Sequence, residues 1–434
     1  MARQMKDSGV EWMGEIPEDW NTPKVINQFD LVGSGTTPKS YSDDYYTDGT
    51  INWIQSGDLH GKYLKSTAKK ITQVAVDETS ALKLYAPNYL VMAMYGASVG
   101  NLVISTIEAC TNQACCVLAK EKGNLKYMYY VLMIAKEYLI YSAVGGTQPN
   151  ISQNIIKDLR VPVPSLGEQQ KIANFLDEKV GEIDSVIIKT KETIEDYKKY
   201  KQAIITDAVT KGLNPNVEMK ESKLQWVDTI PRYWKENKIS HIISMPVIDG
   251  PHVSPELVDN GVPFISADAI ENGKINFDRK RGFITKEYSE ECNKRYKPQK
   301  NDILVVKLGA STGKMAIVGD ETNFNIWVPL AVVRCKVDIL PQYIFYSMES
   351  SYFKNEIRNG WTFGTQETLG VKTLEQLKVF VPSLEEQKEI AEYLNEKCFE
   401  IDKLIAKKEE LLADLEDYKK SLIYEYVTGK KEVE

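Results

Sequence analysis

Histidine is scarce in this chain, with only His60, His241 and His252, and the six cysteines are not spaced for a metal. No His-x-x-x-His, His-Glu-x-x-His or Cys-x-x-Cys pattern occurs, so no metal site is expected. Cys110, Cys115, Cys116, Cys292, Cys335 and Cys398 are too sparse for a disulfide scaffold and read as reduced, mostly buried thiols. Long hydrophobic runs are missing too. The longest, Tyr127 to Ala135, falls far short of the ~18 apolar residues a membrane span requires. The start, MARQMKDSGVEW, has neither an apolar core nor a small-residue cleavage site, which makes a cytoplasmic chain the expectation.

Catalytic motifs are also missing. GASTGK (Gly309 to Lys314) is one residue too short between its glycines for a phosphate loop, and Met315 stands where Ser or Thr would hold magnesium. No Asn-Pro-Pro-aromatic tetrapeptide occurs either. The chain is expected to be no enzyme and to carry no cofactor of its own.

What is present is a folded composition and an internal repeat. With 434 residues, 43% hydrophobic and 26% charged, the chain has apolar material for two or three cored domains at ~150 residues each. LRVPVPSLGEQQKIANFLDEKVGEID (Leu159 to Asp184) returns as LKVFVPSLEEQKEIAEYLNEKCFEID (Leu377 to Asp402), and the ungapped match runs on to Val427-Thr428. Upstream, VEWMGEIPEDW (Val10 to Trp20) parallels LQWVDTIPRYW (Leu224 to Trp234). Between these matched parts, roughly residues 21–145 and 235–363, only traces survive: YGASVG (Tyr95 to Gly100) echoes LGASTG (Leu308 to Gly313), and SGDL (Ser56 to Leu59) echoes SADA (Ser266 to Ala269).

The repeated segments read as helices. Ser165 and Ser383 each follow a short strand, and Glu168 or Glu386 comes three residues later at capping-box spacing. Ile183, Ile187, Ile194, Tyr197 and Ile204, and in the second copy Ile401, Ile405, Leu412, Leu415 and Leu422, recur at the 4,3 spacing of a coiled-coil seam. Each helix should run ~40 residues, ~60 Å, until stopped by Gly212 and Pro215 or by Gly429. A seam needs one partner, and the sister copy supplies it: pseudo-two-fold symmetry predicts an antiparallel intramolecular pair. The diverged segments read as mixed α/β, with LVMAMY (Leu90 to Tyr95) and ILVVKL (Ile303 to Leu308) as buried strands, and Lys126 to Val144 and Pro341 to Arg358 as helices.

The formal net charge of −7 does not exclude nucleic acid, because five of the seven excess negatives lie in residues 376–434, which hold 10 basic and 15 acidic groups. Local basic clusters do occur, at Lys62, Lys65, Lys69 and Lys70 beside Tyr63, and at Arg279-Lys280-Arg281. Lys and Arg near Tyr and Ser suit phosphate and base-edge contacts.

Taken together, the chain resembles the specificity subunits of type I restriction-modification systems. The resemblance rests on the two W-x-x-x-I-P-x-x-W starts (Trp12 to Trp20, Trp226 to Trp234), the G-x-G-T-T-P loop (Gly33 to Pro38), TQPNIS (Thr147 to Ser152) and the paired VPVPSLGEQQKIANFLD-like helices. It implies a mixed α+β chain of two target-recognition domains, 1–158 and 216–376, and two long helices, 159–215 and 377–434, that form an antiparallel coiled coil. It further implies a non-catalytic subunit that reads a bipartite, asymmetric double-stranded DNA site, one half-site per domain. Two methyltransferase subunits and motor/nuclease subunits would be its partners, and S-adenosylmethionine, ATP and Mg would belong to them. The second half departs from the pattern, with TQETLG (Thr365 to Gly370) in place of TQPNIS and MPVIDGPHV (Met245 to Val253) in place of the GSGTTP loop.

Base-reading residues do not transfer by resemblance, so the candidates are chemical: Lys39, Tyr41, Ser56, Lys62, Ser98 and Asn101 in the first domain, and Arg279, Arg281, Lys307, Ser311, Thr312 and Lys314 in the second. The competing reading is a coiled-coil scaffold whose basic clusters are merely solvated. If the helices act as a ruler, adding about four residues to each lengthens it by ~6 Å, nearly two base pairs. The required spacer between half-sites should then lengthen accordingly when methylated motifs are mapped; an unchanged spacer would sink the ruler idea.

Overall fold

A computed structural model describes residues 3–143, 150–360 and 368–433. The chain divides into two compact units, Met1–Thr190 with Glu410–Glu434, and Lys191–Glu409.

The first unit is built on a five-stranded sheet whose strands lie in the order Phe29–Ser34, Cys115–Glu121, Tyr89–Ala93, Leu102–Ser105, Tyr63–Leu64. A three-stranded sheet of Lys70–Ile71, Ile51–Ile54 and Ala109–Thr111 completes the domain. Tyr89–Ala93 is buried along its whole length, as a continuous apolar run in a central strand requires. The second unit repeats the plan: Ile248–Asp249, Leu330–Val333, Ile303–Val306, Met315–Ile317 in one sheet, and Gly282–Ile284, Val262–Ile265, Asn325–Ile326 in the other. Even the parallel pairing recurs, Ile54 opposite Thr111 and Ile265 opposite Ile326. Two segments that share only traces of sequence therefore share one topology.

One expectation about helices changes. Each predicted single helix is two, Leu125–Ile134 followed by Lys136–Tyr141, and Pro341–Glu349 followed by Ser351–Asn359. In the second pair the break falls at Ser350, extended and buried, whose Oγ accepts from the Phe353 N–H at 3.4 Å and caps the new helix.

The repeated segments form helices Leu166–Lys211 and Leu384–Val427, 46 and 44 residues long. Gly212 and Gly429 follow them in the left-handed region, φ 74° and 71°. Within the first unit Ile183 and Ile187 share a buried cluster with Leu422, Ile423 and Val427, with Leu412 and Leu415 packed against it. Phe175 stacks on Tyr426 at 4.4 Å and Asp184 pairs with Lys419 at 2.6 Å, so the partner's number falls as the first rises and the helices run antiparallel. Within the second unit Ile205, Ala208 and Val209 pack with Ile390, Ala391, Leu394 and Cys398, and Lys201 pairs with Asp402 at 2.6 Å.

Ile194 and Ile401 are buried, whereas Tyr197, Ile204, Ile405, Leu412 and Leu415 are half-buried. Beyond Tyr197 the buried positions move to Ile205 and Ala208 rather than Ile204. A helix at 3.6 residues per turn drifts ~20° per heptad from a strict seam, or ~60° over the three heptads from Ile183, which turns Ile204 partly out of the contact.

The starts of the two helices explain which residues the repeat preserves. Ser165 and Ser383 cap as expected, each Oγ accepting at 3.3 Å from the N–H of Glu168 or Glu386. The reciprocal half of the capping box does not form, because both glutamates turn to a tryptophan. Trp20 Nε1 donates to Glu168 at 3.1 Å, with Arg3 at 2.6 Å on the same carboxylate; Trp234 Nε1 donates to Glu386 at 3.1 Å, with the Tyr233 hydroxyl at 2.9 Å. The next residue completes a clamp. Gln169 donates to the Pro164 carbonyl at 3.0 Å and accepts from the Asn124 N–H at 2.9 Å; Gln387 donates to Pro382 at 3.1 Å and accepts from Leu340 at 2.8 Å. Buried Tyr127 and Tyr343 add hydroxyl bonds to the carbonyls of Pro162 and Phe380, at 2.9 and 2.8 Å.

Gln387 is 1% exposed, so Gln387→Ala leaves one N–H and one carbonyl without partners, a cost of about 1–3 kcal/mol each before relaxation. Hydrogen exchange at the Leu340 amide should accelerate more than exchange in the strand Gly282–Ile284 of the other sheet. Uniform acceleration would show that the glutamine is not a local clamp.

Candidate nucleic-acid interface

In each unit the loops that follow four strands emerge at one rim. In the first unit, Cys115 pairs with Ala93 and Cys116 with Ser34, so residues 35–41, 94–101 and 112–114 leave the same edge of the sheet. Residues 55–59 join them through the Asn112 N–H donating to the Ile54 carbonyl at 2.9 Å. The rim is tied together closely. Gly35 lies so near Thr111 that a Cβ there would stand 1.8 Å from its carbonyl oxygen, and Thr37 Oγ1 donates to Gln113 at 2.7 Å. The second unit matches it: a Cβ on Gly250 would lie 2.3 Å from the Ile326 oxygen. GSGTTP and MPVIDGPHV, unlike in sequence, therefore occupy the same place in their own domains.

YGASVG and LGASTG are also the same turn. Gly96, Gly100, Gly309 and Gly313 have φ between 75° and 90°, a region that favours glycine, and the N–H of Gly100 or Gly313 returns to the carbonyl of Ala93 or Val306 at 2.8 Å. Their next neighbours are Ile151, whose N–H reaches Met94 at 2.8 Å, and Leu369, reaching Lys307 at 2.9 Å. Of TQPNIS and TQETLG, Thr147 to Pro149 and Thr365 to Glu367 lie outside the described residues.

The rim gathers Lys39, Tyr41, Ser56, Ser98 and Asn101 in the first domain, and Arg281, Ser311, Thr312 and Lys314 in the second. Lys39, Arg281 and Lys314 are exposed, and Tyr41 is 83% exposed. Asn101 is already engaged, donating to the Leu59 carbonyl at 3.3 Å and accepting from Lys136 at 3.0 Å. Arg279 pairs with Glu271 at 3.6 Å.

Two of the candidates, Lys62 and Lys307, are held by internal carboxylates. Lys62 turns away from the rim to Asp177 on the first long helix, beside Lys126 at 2.7 Å and the Tyr130 hydroxyl at 2.8 Å. Burial alone would raise the Asp177 carboxyl, but hydrogen bonds from Lys126, Lys62 and Tyr130 outweigh it and hold it below the usual range. In the second copy Asn395 stands at this place, accepting from Tyr346 at 2.8 Å, and the lysines are gone. Lys307, 7% exposed, pairs with Asp249 at 3.0 Å. A lysine stem long enough to reach phosphate also reaches an internal carboxylate.

Sequence reasoning passed over Asn112, Gln113, His252, Arg295 and Trp327, all of which the structure places at the rims. They follow two- or three-residue strands too short to show a period, or belong to the helix Lys286–Arg295. Asp249 gathers Arg295 at 2.8 Å, His252 at 3.2 Å and Lys307. Its burial would raise the carboxyl; the hydrogen bond and charge of Lys307, with His252 and Arg295, hold it below the ordinary range. Among the described residues no group of His, Cys, Asp and Glu is arranged to hold a metal ion, and no helix is long and apolar enough to cross a membrane.

A carboxyl depressed in the folded state contributes stability that is complete above its unfolded value, ~3.9, and is lost as pH falls through the folded one. Asp249→Asn should therefore lower the stability of the second unit near neutral pH, and its deficit against the parent should close as pH drops below about 4. Denaturant titrations at several pH values check this; a deficit that persists undiminished in acid would remove the ion network as its cause.

The family model described as the type I restriction modification DNA specificity domain matches residues 17–196 and 233–416. The MjaVIII type I restriction enzyme specificity subunit of Methanocaldococcus jannaschii is 24% identical over 429 residues, covering 96% of this chain and 93% of that protein. The EcoBI specificity subunit of Escherichia coli is 28% identical over 291 residues, covering 65% of this chain and 61% of that protein. A solved chain from work on complex assembly and conformational transition of the type I R-M system superposes with a TM-score of 0.68 at 15% identity, covering 96% of this chain and 99% of that one.

Proposed function

We infer the function from one premise: the chain belongs to the type I restriction-modification DNA specificity family, whose domain occurs in it twice. It is a specificity subunit. Each of its two recognition domains would read one half of a bipartite, asymmetric DNA site. The observation that carries this reading is the pair of rims: one topology and one glycine turn, furnished with different side chains. Two copies of one reader built for identical half-sites would keep their rim residues alike; here one rim carries Lys39, Tyr41 and Gln113 and the other His252, Arg281 and Trp327.

The chain's part is then to bind, to choose and to position. Two methyltransferase subunits would dock on it and transfer a methyl group from S-adenosylmethionine to adenine. Motor/nuclease subunits using ATP and Mg would cut unmodified DNA. All of that chemistry belongs to the partners.

Adenine-methylation mapping tests this in the source strain, in a deletion of the gene, and with the gene restored. Methylation at one split, asymmetric motif should disappear in the deletion and return on complementation. A methylome unaltered by deletion, in a strain that expresses the partner methyltransferase, would favour a scaffold over a DNA reader.

A further inference from the structure

The cations at the second rim differ in what they already hold. Arg295 and Lys307 are committed to Asp249, and Arg279 lies beside Glu271. Arg281 is exposed, and its guanidinium has no acceptor within hydrogen-bond distance among the described residues. It is nevertheless fixed in place, with its guanidinium carbon 3.6 Å from the ring centroid of Trp327. The two backbones are anchored on either side of one strand end. The Arg281 N–H donates to the Phe264 carbonyl and the Trp327 N–H to the Ile265 carbonyl, both at 2.9 Å.

A planar guanidinium stacked on an indole keeps its edge N–H groups directed outward, and the stack limits the rotamers it must give up on binding. Two parallel donors at fixed spacing match the O6 and N7 acceptors of guanine in the major groove, and no other base offers that pair. Lys314, also exposed at this rim, is a flexible point charge that neutralises phosphate without distinguishing bases. By strand register, the first domain has Ala68 and Asn112 at the positions of Arg281 and Trp327, so the device exists in one half only.

We propose that Arg281 reads a guanine in the second domain's half-site through a two-bond contact to O6 and N7, with Trp327 as a positioning residue that holds the guanidinium in its plane. The assignment rests on the DNA-reading function inferred above.

The test uses the subunit assembled with its methyltransferase partners, on duplexes carrying the motif found for the parent complex. Arg281→Ala and Arg281→Lys should each lose about ten- to a hundredfold in preference for guanine at one position of one half-site, the size of a good bidentate contact. Discrimination in the other half-site should stay unchanged, which also verifies folding. Replacing that guanine by 7-deazaguanine should weaken the parent complex but not the Arg281→Ala complex. Trp327→Leu should relax the same position, and Trp327→Phe, which keeps a ring face, should restore most of the preference. Undiminished guanine dependence in Arg281→Ala, or a second half-site without guanine, overturns the assignment while leaving the DNA-reading function intact. A parent complex that methylates no defined motif overturns that function and the assignment with it.

Discussion

The clamp at the start of each long helix is the constraint on which the rest of the structure depends. A carboxylate three residues into a helix faces the positive end of the macrodipole, and there it can accept an indole N–H at little electrostatic cost. Glu168 and Glu386 use this to hold Trp20 and Trp234, and so fix the preceding Ile-Pro strand against the helix. The adjacent glutamines reach the other way, to the N–H at the start of the helix that flanks each recognition sheet. Two neighbouring side chains thus tie three elements together. Conservative-looking changes would break the arrangement, because neither aspartate nor asparagine spans the same distance from the same helical position.

This separation of duties lets the recognition domains diverge. The central strands Tyr89–Ala93 and Ile303–Val306 are buried on both faces, which demands apolar side chains but hardly any particular ones. The glycines of the GAS turns and the Gly35 and Gly250 contacts are held by backbone geometry, and they persist where little else does. Exposed rim residues between those fixed points, such as Lys39, Tyr41 and Lys314, are free to change. Ion pairs change as units: where Asp177 gathers two lysines, Asn395 gathers a tyrosine hydroxyl and no lysine. A lone buried carboxylate would cost several kcal/mol, so charge and countercharge are gained or lost together.

The parts of this molecule that were legible in the sequence are those governed by a repeat or a period. The two long helices, their caps and their stops follow from apolar spacing and from Ser165, Ser383, Gly212 and Gly429. The common topology of the recognition domains was not legible, because strands of two to four residues such as Asn325–Ile326 are too short to carry a pattern and pair with distant partners. Glu168 and Glu386 were assigned to capping boxes on spacing alone; spacing cannot reveal that a tryptophan about 150 positions away competes for the same carboxylate. That Lys62 and Lys307, two candidates for DNA contact, reach internal carboxylates was hidden for a related reason. A run of basic residues shows how much charge a segment carries but not which side of the fold each side chain leaves from.

That last distinction decides how an acidic chain can engage an acidic polymer. Cations already paired inside, such as Lys307 with Asp249, present almost no net field, and taking them for phosphate would leave a buried carboxylate behind. Cations without an internal partner attract phosphate freely, but only those held in one geometry can also distinguish bases. Stacking on an aromatic face meets both conditions, because it immobilises a guanidinium without neutralising it. Selectivity at the second rim therefore depends less on the number of basic residues than on how each is held, and the excess acid of residues 376–434, which lies on the second long helix and its flanks, does not enter that balance directly.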